Sequence, residues 1–359
     1  MKKKIIYLLL LSVILLSGCK VNARQETTEA TQKSMEETSK STSLENTSAS
    51  RELFAMDTYM TITAYGKGCN EAINQAEEEI TYLDNLLSTG NESSEVSLLN
   101  KNKQGEVSKA TATLLEESLD LYDKTNGAFN PAIYPIMEEW GFTTKNYKVP
   151  TEEKLEELLK VIDPSKISYE DYTVSLGSKD LEIDFGGIAK GYTSSRIMEI
   201  FKENGVTSGL VSLGGNVQAL GSKVDGSDWK VAIQNPNGTE DYLGILQINN
   251  QAVITSGGYE RYFEEDGKTY HHIIDPATGY PADSGIVSST IVSGNGLLAD
   301  GLSTSLFVMG LDKSMQFWKE HSDEFDAILL TEDGKLYVTE GIEHKFSSDL
   351  EVNVIKRVN

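Results

Sequence analysis

Three stretches of the 359-residue chain place side chains able to move a proton, hold an anion or bind a hard cation. HHIIDPATGYP (271–281) carries half of the chain's 4 histidines. Alternation along a strand sends His271 and His272 to opposite faces, so only one of them serves a given site. Asp275-Pro276 then opens a turn that Gly279 closes. In IDFGGIAKGY (183–192) a strand ends on Asp184, two glycines permit a tight turn, and a helix starts near Ile188. The free N–H groups of that helix start suit an anion. Lys190 stands against the helix dipole there, as it would beside a phosphate or carboxylate. An ordinary β–α turn with a solvated lysine fits the same residues. In LADGLSTSLFVMG (298–310) Asp300 and Thr304 lie one turn apart on one helix face. A carboxylate and a hydroxyl are hard oxygen donors and suit Mg²⁺ or Ca²⁺ better than zinc. A plain N-cap at Asp300 is the competing account.

These residues need a scaffold, and hydrophobic spacing predicts one. Apolar residues at three- and four-residue steps mark helices over 70–88, 111–127, 151–160 and 188–205. Strands then dominate: GLVSLGG, WKVAIQ, LGILQINN, AVITSGG, YERYFE, TYHHII and SSTIVSG. A helix over 299–310, a second in KSMQFWKEHS and two strands, DAILLT and KLYVTE, complete the chain. Helices early and strands late favour an α+β fold with mixed or antiparallel sheets over a doubly wound sheet. No phosphate loop, GxGxxG, HExxH, CxxC or GxSxG occurs, which removes the common kinase, dehydrogenase, zinc-protease and hydrolase readings. Glycine mixes with aromatic rings in NGAFNPAIYPIMEEWGF (126–142) and ITSGGYERYF (254–263). Planar rings suit a planar ligand, although core packing is the usual use of such residues.

The chain opens MKKKIIYLLLLSVILLSGC, a basic start, an apolar run and small residues before Cys19. The apolar run is short for a membrane span of ~20 residues. Leu16-Ser17-Gly18-Cys19 is similar to a bacterial lipobox, with Cys19 lipidated after removal of residues 1–18. Residues 19–50 are poor in apolar side chains and read as a flexible tether. Residues 51–359 remain for the folded domain. The net charge is −23, and loss of Lys2, Lys3 and Lys4 with the signal makes the rest more acidic. Such a surface excludes nucleic acid as a natural partner. Cys69 is then the lone remaining cysteine, so no disulfide framework supports the fold.

Taken in order, MDTYMTI, GAFNPAIYPIMEEWGF, IDFGGIAKGY, SLGGNVQALG, WKVAIQNP, ITSGGYERYF, HHIIDPATGYP and ADGLSTSLFVMG resemble the FAD:protein FMN transferases (ApbE-type flavin transferases) from about Phe54 to Gly310. The resemblance implies a single T-fold-like domain. It implies a Mg²⁺-dependent enzyme that cuts FAD at its pyrophosphate, passes FMN to a Thr or Ser hydroxyl of a flavoprotein as a phosphoester, and releases AMP. Met56, Ala128, Phe129 and Asn130 would touch the flavin. Asp184 and Lys190 would hold the nucleotide part, and Ile274 would line the FAD site. The metal would be held by the Gly187 carbonyl, Asp300 and the Thr304 hydroxyl, with Ser303 close by. His272 is the candidate base, and His271 the fallback. Asn130 replaces an Asp found in many members, and Gly187 replaces a small side chain. With a lipid anchor at Cys19, the enzyme would sit on the outer face of the cell membrane, with an extracytoplasmic flavoprotein as acceptor. A FAD pyrophosphatase and a non-catalytic flavin-binding lipoprotein are the alternatives.

Overall fold

The computed structural model describes residues 47–236, 238 and 242–357. The signal sequence, Cys19 and nearly all of the segment read as tether lie outside the described residues. The chain from Leu44 onward forms one unit, and its frame is a nine-stranded sheet. The strands follow one another in chain order: β1 (Ser48–Ala55), β2 (Thr58–Tyr65), β3 (Ser208–Leu213), β4 (Asn216–Leu220), β5 (Ala252–Gly257), β6 (Ile286–Ser293), β7 (Asp326–Thr331), β8 (Leu336–Thr339) and β9 (Val352–Ile355). Every neighbouring pair is antiparallel except β8 and β9.

The middle strands are covered on both sides. Ile254 of β5 and Ile291 of β6 enter one apolar cluster, while Val253 and Val292 enter another. Adjacent residues of a strand point to opposite faces, so such strands read as continuous apolar runs. The face carrying Val253 is covered by the hairpin Trp229–Gln234 and Tyr242–Ile248, through Trp229, Leu246 and Ile248. The other face carries the helices.

Those helices are α1 (Cys69–Leu87), α2 (Glu95–Asn102), α3 (Lys109–Lys124), α4 (Tyr134–Glu139), α5 (Glu152–Leu159), α6 (Ala189–Glu203), α7 (Gly296–Met309) and α8 (Leu311–Glu320). The spacing that predicts α1 also identifies its buried face: Ala72, Ile73, Ala76, Ile80, Leu83 and Leu87 are all buried. α7 is buried over most of its surface, including Leu302, Leu306 and Phe307. This central helix lies against β5, β6 and α6. Gly191 of α6 makes the closest approach possible: a Cβ there would come within 2.2 Å of the Gly296 carbonyl oxygen.

The observed architecture is the expected α+β arrangement with one large, mostly antiparallel sheet. Local differences have physical reasons. α7 starts at Gly296, and the Asn295 side chain caps it by accepting from the Leu298 N–H at 3.2 Å. Asp300 is therefore in the second turn and is not the cap. YERYFE is a strand only from Tyr262, because Tyr259 and Glu260 form the turn that leaves β5. β1, α2 and α4 carry too few apolar residues, or are too short, to show a period.

Candidate active site

A cleft of about 620 Å³ opens beside the helical face of the sheet. Its wall includes the β1–β2 turn, the loop after α1, the stretch Ala128–Asn130, the segment from Phe142 to Lys145, the turn at Asp184–Gly187, Arg261, the stretch His272–Ile274 and Thr304. Met56, Ala128, Phe129, Asn130, Asp184, Gly187, His272, Ile274 and Thr304 all line it. Residues separated by more than two hundred positions in sequence thus meet at one site. Lys190, Asp300 and Ser303 are not among the lining residues.

Met56 and Asp57 make the two-residue connection between β1 and β2, with φ of 49° and 58°. A two-residue hairpin turn with both φ positive normally favours Asn-Gly, since side chains crowd the backbone there. Asp84 holds this strained turn by accepting the Met56 N–H at 3.0 Å. The turn thereby places Met56 in the cleft.

The two histidines are separated by their hydrogen bonds. His272 Nδ1 lies 3.1 Å from the Arg261 carbonyl oxygen. A carbonyl can only accept, so Nδ1 carries the proton and Nε2 keeps its lone pair. Loss of water around the ring, then the nearby Arg261 charge, lowers the His272 pKa to about 3. His271 is used by the fold. Its Nε2 donates to the Ala282 carbonyl at 3.2 Å and its Nδ1 accepts the Ile273 N–H at 3.3 Å. The ring meets Phe307 edge-on. His272 is therefore the histidine that lines the cleft, and His271 does not line it.

Asp300 ties α7 to α6 and to β4. Its Oδ2 accepts the Gly191 N–H at 2.7 Å and its Oδ1 accepts the Asn216 amide at 3.0 Å. The Asp300 carboxylate thus supplies an internal negative charge at the start of α6, beside Lys190. Burial pushes the Asp300 carboxyl above the ordinary carboxylate range, while Lys190 and these two donors pull it back. The Ser256 hydroxyl lies 2.7 Å from that of Ser303 and 3.2 Å from that of Thr304. Among the described residues no three His, Cys, Asp or Glu side chains gather as a metal-binding group. What the site offers instead is one carboxylate, three hydroxyls and main-chain oxygens.

Asp184 Oδ1 accepts the Gly186 N–H at 2.8 Å, which tightens the glycine turn. Enclosure raises its pKa, and that N–H, Arg261 and Lys190 oppose the rise. The Asn130 amide donates to the Ile162 carbonyl at 2.9 Å and accepts the Ala132 N–H at 2.8 Å. Both ends of that amide serve the protein, so it shapes the cleft wall through backbone contacts. A Cβ at Gly187 would stand 3.2 Å from the Phe129 ring. Glycine there lets the ring pack against the turn. Behind Ile274, Trp140 Nε1 donates to the Gly279 carbonyl at 2.8 Å and anchors the DPATGYP turn.

The ApbE family model matches residues 56–329. This chain belongs to the ApbE family. It is 31% identical over 316 residues to the FAD:protein FMN transferase of Treponema pallidum, covering 82% of this chain and 87% of that protein. It is 32% identical over 285 residues to the FAD:protein FMN transferase of Haemophilus influenzae, covering 76% of this chain and 82% of that protein. The crystal structure of the ApbE protein from Thermotoga maritima superimposes with a TM-score of 0.78 at 31% identity, over 83% of this chain and 99% of that one. The flavin transferase ApbE from Vibrio cholerae gives 0.75 at 26% identity, over 83% of this chain and 100% of that one.

The family's cleft in this chain includes residues that the sequence motifs did not single out. Asp84 and Arg261 line the cleft, Ser256 meets its residue Thr304, and Asn216 reaches Asp300. Ser256 and Arg261 flank the double glycine of ITSGGYERYF, and that turn is the only local signal for them. Asp84 sits within the amphipathic pattern of α1 as one more solvent-side carboxylate, and nothing nearby marks it.

Proposed function

We propose that the chain is a FAD:protein FMN transferase. It cleaves the FAD pyrophosphate and attaches FMN through a phosphoester to a Ser or Thr of a flavoprotein, releasing AMP. The observation that carries this reading is His272, with Nε2 unprotonated and facing a cleft that also presents Asp184, Gly187 and Thr304. A hydroxyl is a poor nucleophile until a base takes its proton. The acceptor oxygen bonds to the FMN phosphorus, its proton passes to His272 Nε2, and the bond to the AMP phosphate breaks with the electron pair leaving on AMP. Met56, Phe129 and Ile274 give the isoalloxazine an apolar wall, and Ala128 and Asn130 continue that wall through their backbone.

Magnesium fits the donors present. Asp300 is buried at 5% exposure and receives only neutral donors, so a hard cation would supply the compensating charge. Asp300, Thr304 and the Gly187 carbonyl would hold it, with Ser303 in support through Ser256. Bound there, it would neutralise charge on the phosphate oxygens. Lys190 adds a positive charge, acting on Asp184 and Asp300 alike.

No helix among the described residues is long and apolar enough to cross a membrane. The lipobox-like Leu16-Ser17-Gly18-Cys19 supports a lipid anchor at Cys19, with the domain on the outer face of the cell membrane and an exported flavoprotein as acceptor. The test is to mix the protein with FAD, Mg²⁺ and an exported flavoprotein domain, denature the mixture and look for flavin fluorescence on the acceptor band. Fluorescence that survives denaturation and disappears with EDTA is the expected result. AMP release without labelling would instead indicate a FAD pyrophosphatase. FAD binding with neither signal would leave a flavin-binding lipoprotein.

A further inference from the structure

We propose that the Arg261 guanidinium binds the FAD pyrophosphate beside His272, so that one residue grips the substrate with its side chain and orients the base with its carbonyl. The inference rests on the flavin transferase reading above. Arg261 lies in the turn that leaves β5 and lines the cleft. Its carbonyl accepts both the His272 backbone N–H at 3.0 Å and Nδ1 at 3.1 Å. Among the described residues no hydrogen bond or salt bridge holds its guanidinium. That side chain is exposed to the cleft with its donors unused.

The charge around it explains why such a group is needed. The cleft wall carries three carboxylates, Asp57, Asp84 and Asp184, against two cationic side chains, Lys145 and Arg261. A pyrophosphate entering there meets repulsion, and the negative charge grows as the phosphoester and AMP form. Arg261 shares the cleft with Asp184 and His272 and lowers the pKa of each, so its charge reaches both. Guanidinium presents paired donors that match phosphate oxygens, and lysine does not. A cation beside the attacked phosphorus favours the transition state over the ground state. The titratable groups that act on His272 are Arg261, His271 and Lys190, and Arg261 is the strongest of them in keeping the imidazole unprotonated.

Full-length protein in detergent, as wild type, R261K and R261Q, is titrated with FAD and with riboflavin, which has no phosphate. R261Q should weaken FAD binding by about tenfold or more, move riboflavin binding by less than about twofold, and lower kcat for transfer further than it raises KM. R261K should fall between. The His272 imidazole, followed by NMR, should titrate higher in R261Q than in wild type or R261K, which a purely structural role would not produce. R261Q with wild-type FAD affinity, or with FAD and riboflavin weakened alike, would overturn the proposal. Wild type that binds FAD through Arg261 yet never labels an acceptor would instead sink the transferase reading and leave Arg261 its role.

Discussion

The surroundings of His272 keep its imidazole neutral, which its proposed role as base requires. Burial and then Arg261 lower its pKa from 6.5 to about 3. Transfer should therefore show no loss from histidine protonation between pH 7 and 5, which a pH–rate profile checks. The same shift acts on stability. The unfolded chain takes up the proton first as pH falls, so stability declines from about pH 6.5 toward about pH 3 and levels off below. His271 is also lowered by burial and adds to the same decline. His272→Gln should flatten the fall in Tm across that window. His272→Ala should keep FAD binding and lower acceptor labelling by roughly 10²–10⁴-fold, the usual contribution of a general base. Unchanged labelling would assign the proton transfer to another group.

At the level of elements, the site depends on how closely α6 meets α7. Gly191 of α6 has no side chain because the Gly296 oxygen and Asp300 Cβ would lie 2.2 Å and 2.6 Å from a Cβ. Gly191→Ala should cost about 1–3 kcal/mol of stability through overpacking. It should also weaken activity further than stability predicts, because Asp300 is bonded to that backbone N–H. Urea unfolding and the transfer assay together check this. Trp140→Phe removes the donor to the Gly279 carbonyl. A buried carbonyl left unpaired costs about 1–3 kcal/mol. FAD should bind more weakly as well, since the anchored turn carries Ile274 into the cleft, and flavin fluorescence reads the change.

At the level of the whole molecule, the unit from Leu44 to Asn359 contains the sheet, all eight described helices and the cleft. A chain starting at Leu44 should label an acceptor in solution at the rate of the full chain in detergent. Cys19→Ala should shift the full chain from the membrane fraction to the soluble fraction with the rate per molecule unchanged. A large drop in rate for the shorter chain would mean that residues before Leu44 contribute to the site.

Sequence alone determined the elements whose periods are long and regular. α1 could be read to its individual buried residues because a surface helix repeats its apolar side chains every three or four positions. It also marked the glycine-flanked stretches that hold Asp184, Gly187 and the histidine pair, since a tight turn leaves a local trace in composition. Tertiary structure decided what local sequence does not encode. Alternation in HHII left open which histidine faces the cleft, and bonds to Ala282 and Arg261, both distant in register, settled it. Asp300, 109 positions from Gly191, accepts that residue's N–H at the start of α6. Asp84, Asn216, Ser256 and Arg261 became site residues only through partners that folding brings to them. The double glycines near Ser256, Arg261 and Asn216 mark turns but not the partners that those residues meet, and nothing near Asp84 marks its contact.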